Sequence, residues 1–569
     1  MTQGRGTETE LDDGNLSRRL PAYLAASLLT ALIIQATLFA ALKGPSFDEV
    51  IDIAAGYAYL RTGTYRLCPE HPALATALSS APLLLLDLRD PAEDPEFSAQ
   101  RRWQFALGTL HQNRTPAARI LFLARLPSIL LLGLLGWLLY RFGAAEFGPW
   151  GGVGALFLLA TSPTFIAHSA LATGDSIVAV FSFAAFVSIR RCLDRITWPR
   201  ILLAGAALGA ALASKMTAFI LLPVAVMLVF TDRPMEVTHP FGKAAPSWGG
   251  RRGPAMIALL LVLLISVLTL HGIYLGRIFA DHGAPPSYLN DPATLDPGGR
   301  LARAALAATE WFVPEEYAYG LRELVHSASR GWPYFLLGQT GSRSPIWAYP
   351  YAAAVKSREA VLLGLPIALF IGWRTGRRRM RLVQMLLVPC LLLLGLAVGG
   401  GYHGARNLLP ACPFLFLIVG GVAGGLARRG RRARWGLLVG TAVAMAPCLI
   451  SFPDYLAYQN FLAGGRGGDY ERLGDSDLDW GQDLPALSRR LRDLGHPPVR
   501  LVYFGRDDPR AYDFPFQPLT DCKPVKGYVA ISATHLQGVY LPDPNCFAWL
   551  RRQEPVARAG RSILIYHVR

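Results

Sequence analysis

The run LPAYLAASLLTALIIQATLFAAL, residues 20–42, leads through Lys43 into GPSFDEVIDIAAGYAYLRTG, residues 44–63. No charged side chain interrupts residues 20–42. A helix needs about 20 apolar residues to cross the hydrocarbon of a bilayer, so this run is of spanning length. Arg18 and Arg19 precede it, and it lacks the short apolar core and small-residue cleavage site of a secretory leader. It therefore reads as a retained membrane helix. The two adjacent carboxylates that follow, Asp48 and Glu49, then stand at a membrane boundary.

Comparable runs recur along the 569 residues, 52% of which are hydrophobic and only 17% charged. An ordinary soluble domain carries more charge and spreads it more evenly. The fold class is an α-helical polytopic membrane protein, because helices alone satisfy their own backbone groups in lipid, closed barrels aside. We expect about eleven spans, near 20–42, 124–141, 149–165, 170–189, 199–213, 216–231, 254–273, 359–374, 383–400, 407–427 and 434–451. Lys215 interrupts the 199–231 pair. The net charge of +16 does not indicate nucleic acid, because the arginines sit in short clusters between apolar runs.

Those clusters orient the chain. Arg190, Arg191, Arg195 and Arg200 share one connection, and Arg233, Lys243, Arg251 and Arg252 another. Arg374, Arg377, Arg378, Arg379 and Arg381 fill a third, and Arg428, Arg429, Arg431, Arg432 and Arg434 a fourth. With the N-terminal tail 1–19 in the cytosol, all four fall on the cytoplasmic face, as the positive-inside bias requires. The opposite face then receives loops 43–123 and 274–358 and a tail from 452 to 569. The tail reads as a small α/β domain. LPALSRRLRDLG (484–495) has helical patterning, and VRLVYFG (499–505), KGYVAISAT (526–534) and RSILIYHVR (561–569) have strand patterning. Cys522 and Cys546 sit in this tail and either pair or remain thiols, depending on the compartment.

Several stretches then assume a recognisable order. GYAYLRTG and EHPALATALSSAPLL follow the acidic pair, then HSALATGDSIVAVF, LGAALASKMTAF, YPYAAAVKSREA and YHGARNLLPACPFL. FPDYLAYQNFLAGG and DSDLDWGQDL come last. This order resembles the protein O-mannosyltransferase and aminoarabinose-transferase superfamily, integral-membrane glycosyltransferases of the GT-C fold. The resemblance covers residues from about 20 to 490 and gives residues 20–451 as the catalytic membrane domain. It implies transfer of a sugar from a polyprenyl-phosphate donor to a protein or glycolipid acceptor, at the external face of the plasma (inner) membrane.

Residue by residue, Asp48 matches the catalytic acid of that family and would act as general base on the acceptor, with inversion at the anomeric carbon. Glu49 is its neighbour in the catalytic group, yet turned about 100° away if both are helical. The bland alternative for both is a carboxylate favoured by the positive end of a helix. Asp175 resembles the second acidic position, or else is a helix cap. Lys215, Lys356, His403 and Arg406 are the candidate ligands of the carrier phosphate, Arg406 first because a guanidinium grips two oxygens. Snorkelling to lipid headgroups is the alternative for each cation. Glu70 and His71 resemble a motif at the donor surface. Two ligands do not make a metal site, so a divalent cation is not expected to be obligatory. Asp475, Asp477 and Asp479 lack the glycine and glutamate of a calcium loop. The competing readings are a transporter or flippase of lipid-linked sugars, which would place polar groups near the midplane, and a non-catalytic scaffold.

Overall fold

A computed structural model describes residues 6–231, 252–275, 309–374, 376–399, 401–465 and 468–569. Among them, seven helices are long and apolar enough to cross a membrane: Arg19–Leu42, Ala117–Phe147, Gly174–Asp194, Gly253–Ile273, Arg379–Val398, Ala405–Ala427 and Arg431–Ser451. The chain is a multi-pass membrane protein. The span expected at 149–165 is a bent pair instead, Pro149–Ala160 and Pro163–Ser169, meeting at 70°. Pro163 supplies the cause, since it lacks a backbone donor and pushes Ser162 out of helical geometry. Three further expected spans, Trp198–Leu212, Met216–Thr231 and Glu359–Trp373, are helices of only 10–17 residues. The break between the first two falls at Lys215, whose backbone is extended (φ −163°, ψ 143°). The connection holding Arg233, Lys243 and Arg251 lies outside the described residues.

Small residues let the helices close on each other. Pro149–Ala160 packs against Cys412–Ala427, where a side chain on Gly420 would come within 2.5 Å of the Ala155 nitrogen. Close backbone approach of this kind is how membrane helices associate without a hydrophobic driving force.

The helices Ala117–Phe147 and Gly174–Asp194 each have two chemically different ends. Glu146, Arg190 and Arg381 form one cluster, with Glu146 2.6 Å from Arg381 and 3.3 Å from Arg190. Arg428 donates to the Phe147 carbonyl beside it. At the other ends of the same helices stand Arg125 and Asp175. At 1.5 Å per residue, Asp175 and Arg190 are about 22 Å apart along their helix.

The tail forms a five-stranded sheet in the order Phe516–Pro518, Val499–Val502, Gly527–Ser532, Ile563–Val568, Ala557–Ala559. Val499–Val502 is parallel to both neighbours, and the other pairings are antiparallel. Alternation sends Ile563 and Ile565 to one face, under the Leu484–Asp493 helix, and Leu564 and Tyr566 to the other, against Leu536 and Phe547. The three strands and the helix expected from the sequence are present, and two short edge strands join them. Cys522 and Cys546 are disulfide-bonded. Trp480 and Phe504 pack into the membrane-helix core, so the sheet domain is docked on the helices and not tethered beside them.

Candidate active site

The Phe47–Thr62 helix begins where the first span ends, and its first turn carries both acids. They separate at once. Asp48 points to a cluster of charges and Glu49 points into the protein, as the 100° step between consecutive helical residues dictates. Asp48 Oδ2 lies 2.6 Å from Arg406 Nη1. The same Nη1 lies 3.6 Å from Asp175 Oδ2, so one guanidinium joins acids 127 positions apart in the chain (175 − 48). Lys215 donates to Asp175 Oδ1, and to Asn407 Oδ1 at 2.7 Å. Asp48, Asp175, Lys215 and Arg406 thus converge.

Access is graded across this cluster. The side chains of Asp48, Arg406 and Lys215 are 19%, 16% and 22% exposed, whereas Asp175 is 3% exposed. Asp48 Oδ1 and Arg406 Nη2 take no hydrogen bond among the described residues. Asp175 sits in the first turn of its helix, beside the extended Thr173. The guanidinium stacks on the Trp480 ring, 4.3 Å from its centroid.

The other sequence candidates are distributed differently. Glu49 is fully buried and forms a bidentate pair with Arg125, at 2.8 and 2.7 Å, and also accepts from Ser46 N and Ala172 N. Arg125 donates in turn to the carbonyls of Ala40, Lys43 and Gly44. Glu49, expected in the catalytic group, thus has both oxygens committed to holding its own helix start, Arg125 and Ala172 together. Lys356, expected on the phosphate, lies among backbone carbonyls instead of in the cluster of Asp48, Asp175, Lys215 and Arg406. Its ammonium is buried against the carbonyls of Leu456 and Asp477, both at 2.7 Å, and burial pushes its pKa down to about 8. His403 lies beside the cluster over Trp332, ring centroids 5.0 Å apart. Burial, then the charges of Arg406 and Lys215, push it down to about 4, so it is neutral at physiological pH.

Glu70 pairs with Arg102 at 2.7 Å. His71 Nδ1 meets Asp52 Oδ1 at 2.5 Å. Burial opposes charging His71, but the Asp52 carboxylate outweighs it and holds the imidazole well above its usual range.

Sequence reasoning missed how the late DSDLDW segment builds the site. Asp477 accepts from Ala405 N at 3.0 Å and from the Tyr402 hydroxyl, and Ser476 donates to His403 O. The segment thereby clamps YHGARN, the strip that carries Arg406. Gly404 permits this, because its φ is +91° and a Cβ there would collide with Ser476 Oγ. Lys43, also unforeseen, bridges Asp454 and Asp483, both at 2.7 Å. The signal available was the density of acids in DSDLDWGQDL, whose partners are remote in sequence.

Residues 120–245 match the family model described as dolichyl-phosphate-mannose-protein mannosyltransferase. That segment is similar to the superfamily that the order of motifs resembles. No curated protein matches the chain. Among solved structures, the chain is similar to ArnT from Cupriavidus metallidurans bound to undecaprenyl phosphate, at 13% identity and a TM-score of 0.45, covering 96% of this chain and 97% of that one. It is also similar to the oligosaccharyltransferase AglB from Archaeoglobus fulgidus in complex with an inhibitory peptide and a dolichol-phosphate, at 13% identity and a TM-score of 0.42, covering 74% of this chain and 56% of that one.

Proposed function

We propose that the chain is a membrane glycosyltransferase that moves a sugar from a polyprenyl-phosphate carrier to an acceptor at the external face of the membrane. One observation carries this reading. Two carboxylates from separate helices meet two cations at a single, partly open point, at the end of the bundle away from the arginine clusters.

The chemistry follows from the free valences. Asp48 Oδ1 takes the proton of the acceptor hydroxyl or amine as that atom attacks the anomeric carbon. The bond from that carbon to the phosphate oxygen breaks on the opposite side, which inverts configuration. Arg406 Nη2 and the Lys215 ammonium offset the charge left on the carrier phosphate. Asp175 holds both cations in place. The arginine clusters support a cytoplasmic position for the far end, by the positive-inside bias. Lys356 and Glu49 have no direct part; Glu70 and His71 lie beyond Asp52, one helical turn from Asp48, with His71 on Asp52 and Glu70 on Arg102.

The test is a transfer assay with labelled polyprenyl-phosphate sugars, comparing wild type with Asp48→Asn. A positioned base contributes about 10²- to 10⁴-fold, so turnover falls by that factor while carrier binding persists. Equal turnover by the two proteins removes the base assignment. Movement of carrier across the bilayer without transfer establishes a flippase instead.

A further inference from the structure

One helical turn beyond Asp48, the same face of the Phe47–Thr62 helix carries Asp52. Its side chain is 1% exposed. It meets two side chains of the CPEH segment, residues 68–71. Asp52 Oδ1 lies 2.5 Å from His71 Nδ1 and 3.8 Å from Cys68 Sγ. One ligand atom from each of the three side chains lies within 4.8 Å of the other two.

A buried thiol, an imidazole and a carboxylate form a donor set of definite preference. Zinc-class cations take Cys sulfur, His nitrogen and Asp oxygen, and ligand atoms about 2.0–2.3 Å from a tetrahedral ion stand roughly 3.5 Å apart. Cys68 and Asp52 already hold that spacing. His71 needs to draw back by about 1 Å to reach it. It sits on a turn and is the most exposed of the three, at 34%, so it has room to do so.

A second observation is independent of these distances. Glu70, between Cys68 and His71, accepts from Arg102 at Oε1, while its Oε2 is buried and has no hydrogen-bond partner among the described residues. A buried carboxylate oxygen without a donor is costly, and Arg102, engaged at the other oxygen, does not serve this one. An Asp52–His71 ion pair alone leaves that oxygen unexplained, and leaves Cys68 as a weak donor with no further use.

We propose that Asp52, Cys68 and His71 bind one zinc-class divalent cation, with Glu70 supplying the adjoining negative charge. The ion ties the Asp48 helix to the turn that begins the Ala73–Ser80 helix, one turn beneath the transfer site. Three protein ligands leave a fourth position, on the side from which His71 is exposed.

The full-length chain, purified in detergent without chelator or metal affinity resin, is assayed for zinc by mass spectrometry. It is then loaded with cobalt(II) and its absorption recorded. The expected result is one equivalent of zinc per chain and a thiolate-to-cobalt charge-transfer band in the near ultraviolet. Cys68→Ser removes the band and weakens zinc binding by at least roughly tenfold, the lower end of what even outer-shell partners contribute. Cys390→Ser, at an exposed thiol elsewhere, keeps both. Equal zinc content in Cys68→Ser and wild type means an adventitious ion only and overturns the proposal. Should Cys68→Ser not fold, wild type still decides: chelator lowers its melting temperature and added zinc restores it, and an unchanged melting temperature overturns the site. None of these readouts depends on sugar transfer.

Discussion

At the scale of single residues, Asp48 and Glu49 show how one peptide bond separates two fates. Asp48 reaches a partly exposed cluster, and Glu49 enters a fully buried pair with Arg125. Removing one partner of a buried pair leaves the other charge uncompensated, at about 3–5 kcal/mol. Glu49→Gln is therefore expected to lower the unfolding midpoint strongly in detergent, and to reduce activity only as folded protein is lost. Asp48→Asn is expected to do the reverse, with the melting curve preserved and turnover lost. Thermal unfolding followed alongside transfer separates the two. If Glu49→Gln melts like wild type, the clamp assigned to it is wrong.

At the scale of elements, the DSDLDW strip is the part that sets the site. It holds the YHGARN strip through Asp477 and reaches the tail through Asp479, which accepts from Thr534 N at 3.0 Å and Gly481 N at 3.4 Å. Burial pushes Asp479 up to about 7, with the Thr534 hydrogen bonds opposing. The folded form thus binds a proton that the unfolded chain has lost. Stability from this group is fully present below about pH 4 and declines as pH rises to about 7, where it levels off. Asp479→Asn removes that dependence. The difference in melting temperature between wild type and variant should fall across that window, in favour of the variant at the higher pH. A constant difference from pH 4 to 7 would show that Asp479 titrates normally.

At the scale of the whole molecule, the tail sheet is continuous with the membrane core through Trp480 and Phe504. Its disulfide closes a loop with sequence separation 24. Such a loop constrains the unfolded chain by about 3 kcal/mol in the loop-entropy account. Cys522→Ser is expected to lower the denaturation midpoint by a corresponding amount, as does reductant on wild type but not on the variant. Because the tail carries Trp480 under Arg406, the same variant should show weaker carrier binding near its melting range and normal binding well below it. Titration with polyprenyl phosphate at two temperatures checks this.

The amino-acid sequence by itself determined seven of the eleven expected membrane helices, their arginine-rich ends and three of the five strands of the tail. Each of these is written in local composition and period, which a bilayer or a sheet reads directly. Candidate acids and cations were legible too, as charges at the ends of apolar runs. What only the tertiary structure decided was partnership. Arg406 and Asp48 are 358 positions apart, and Lys356 lies 121 from a carbonyl that accepts its hydrogen bond. No local pattern distinguishes a cation that faces a phosphate from one that staples a loop, as Lys356 does. Nor does the spacing of Glu70 and His71 disclose that Asp52 and Cys68 complete a ligand set with His71. Charges are paired by the packing of remote helices, and that packing is a property of the fold and not of any one segment.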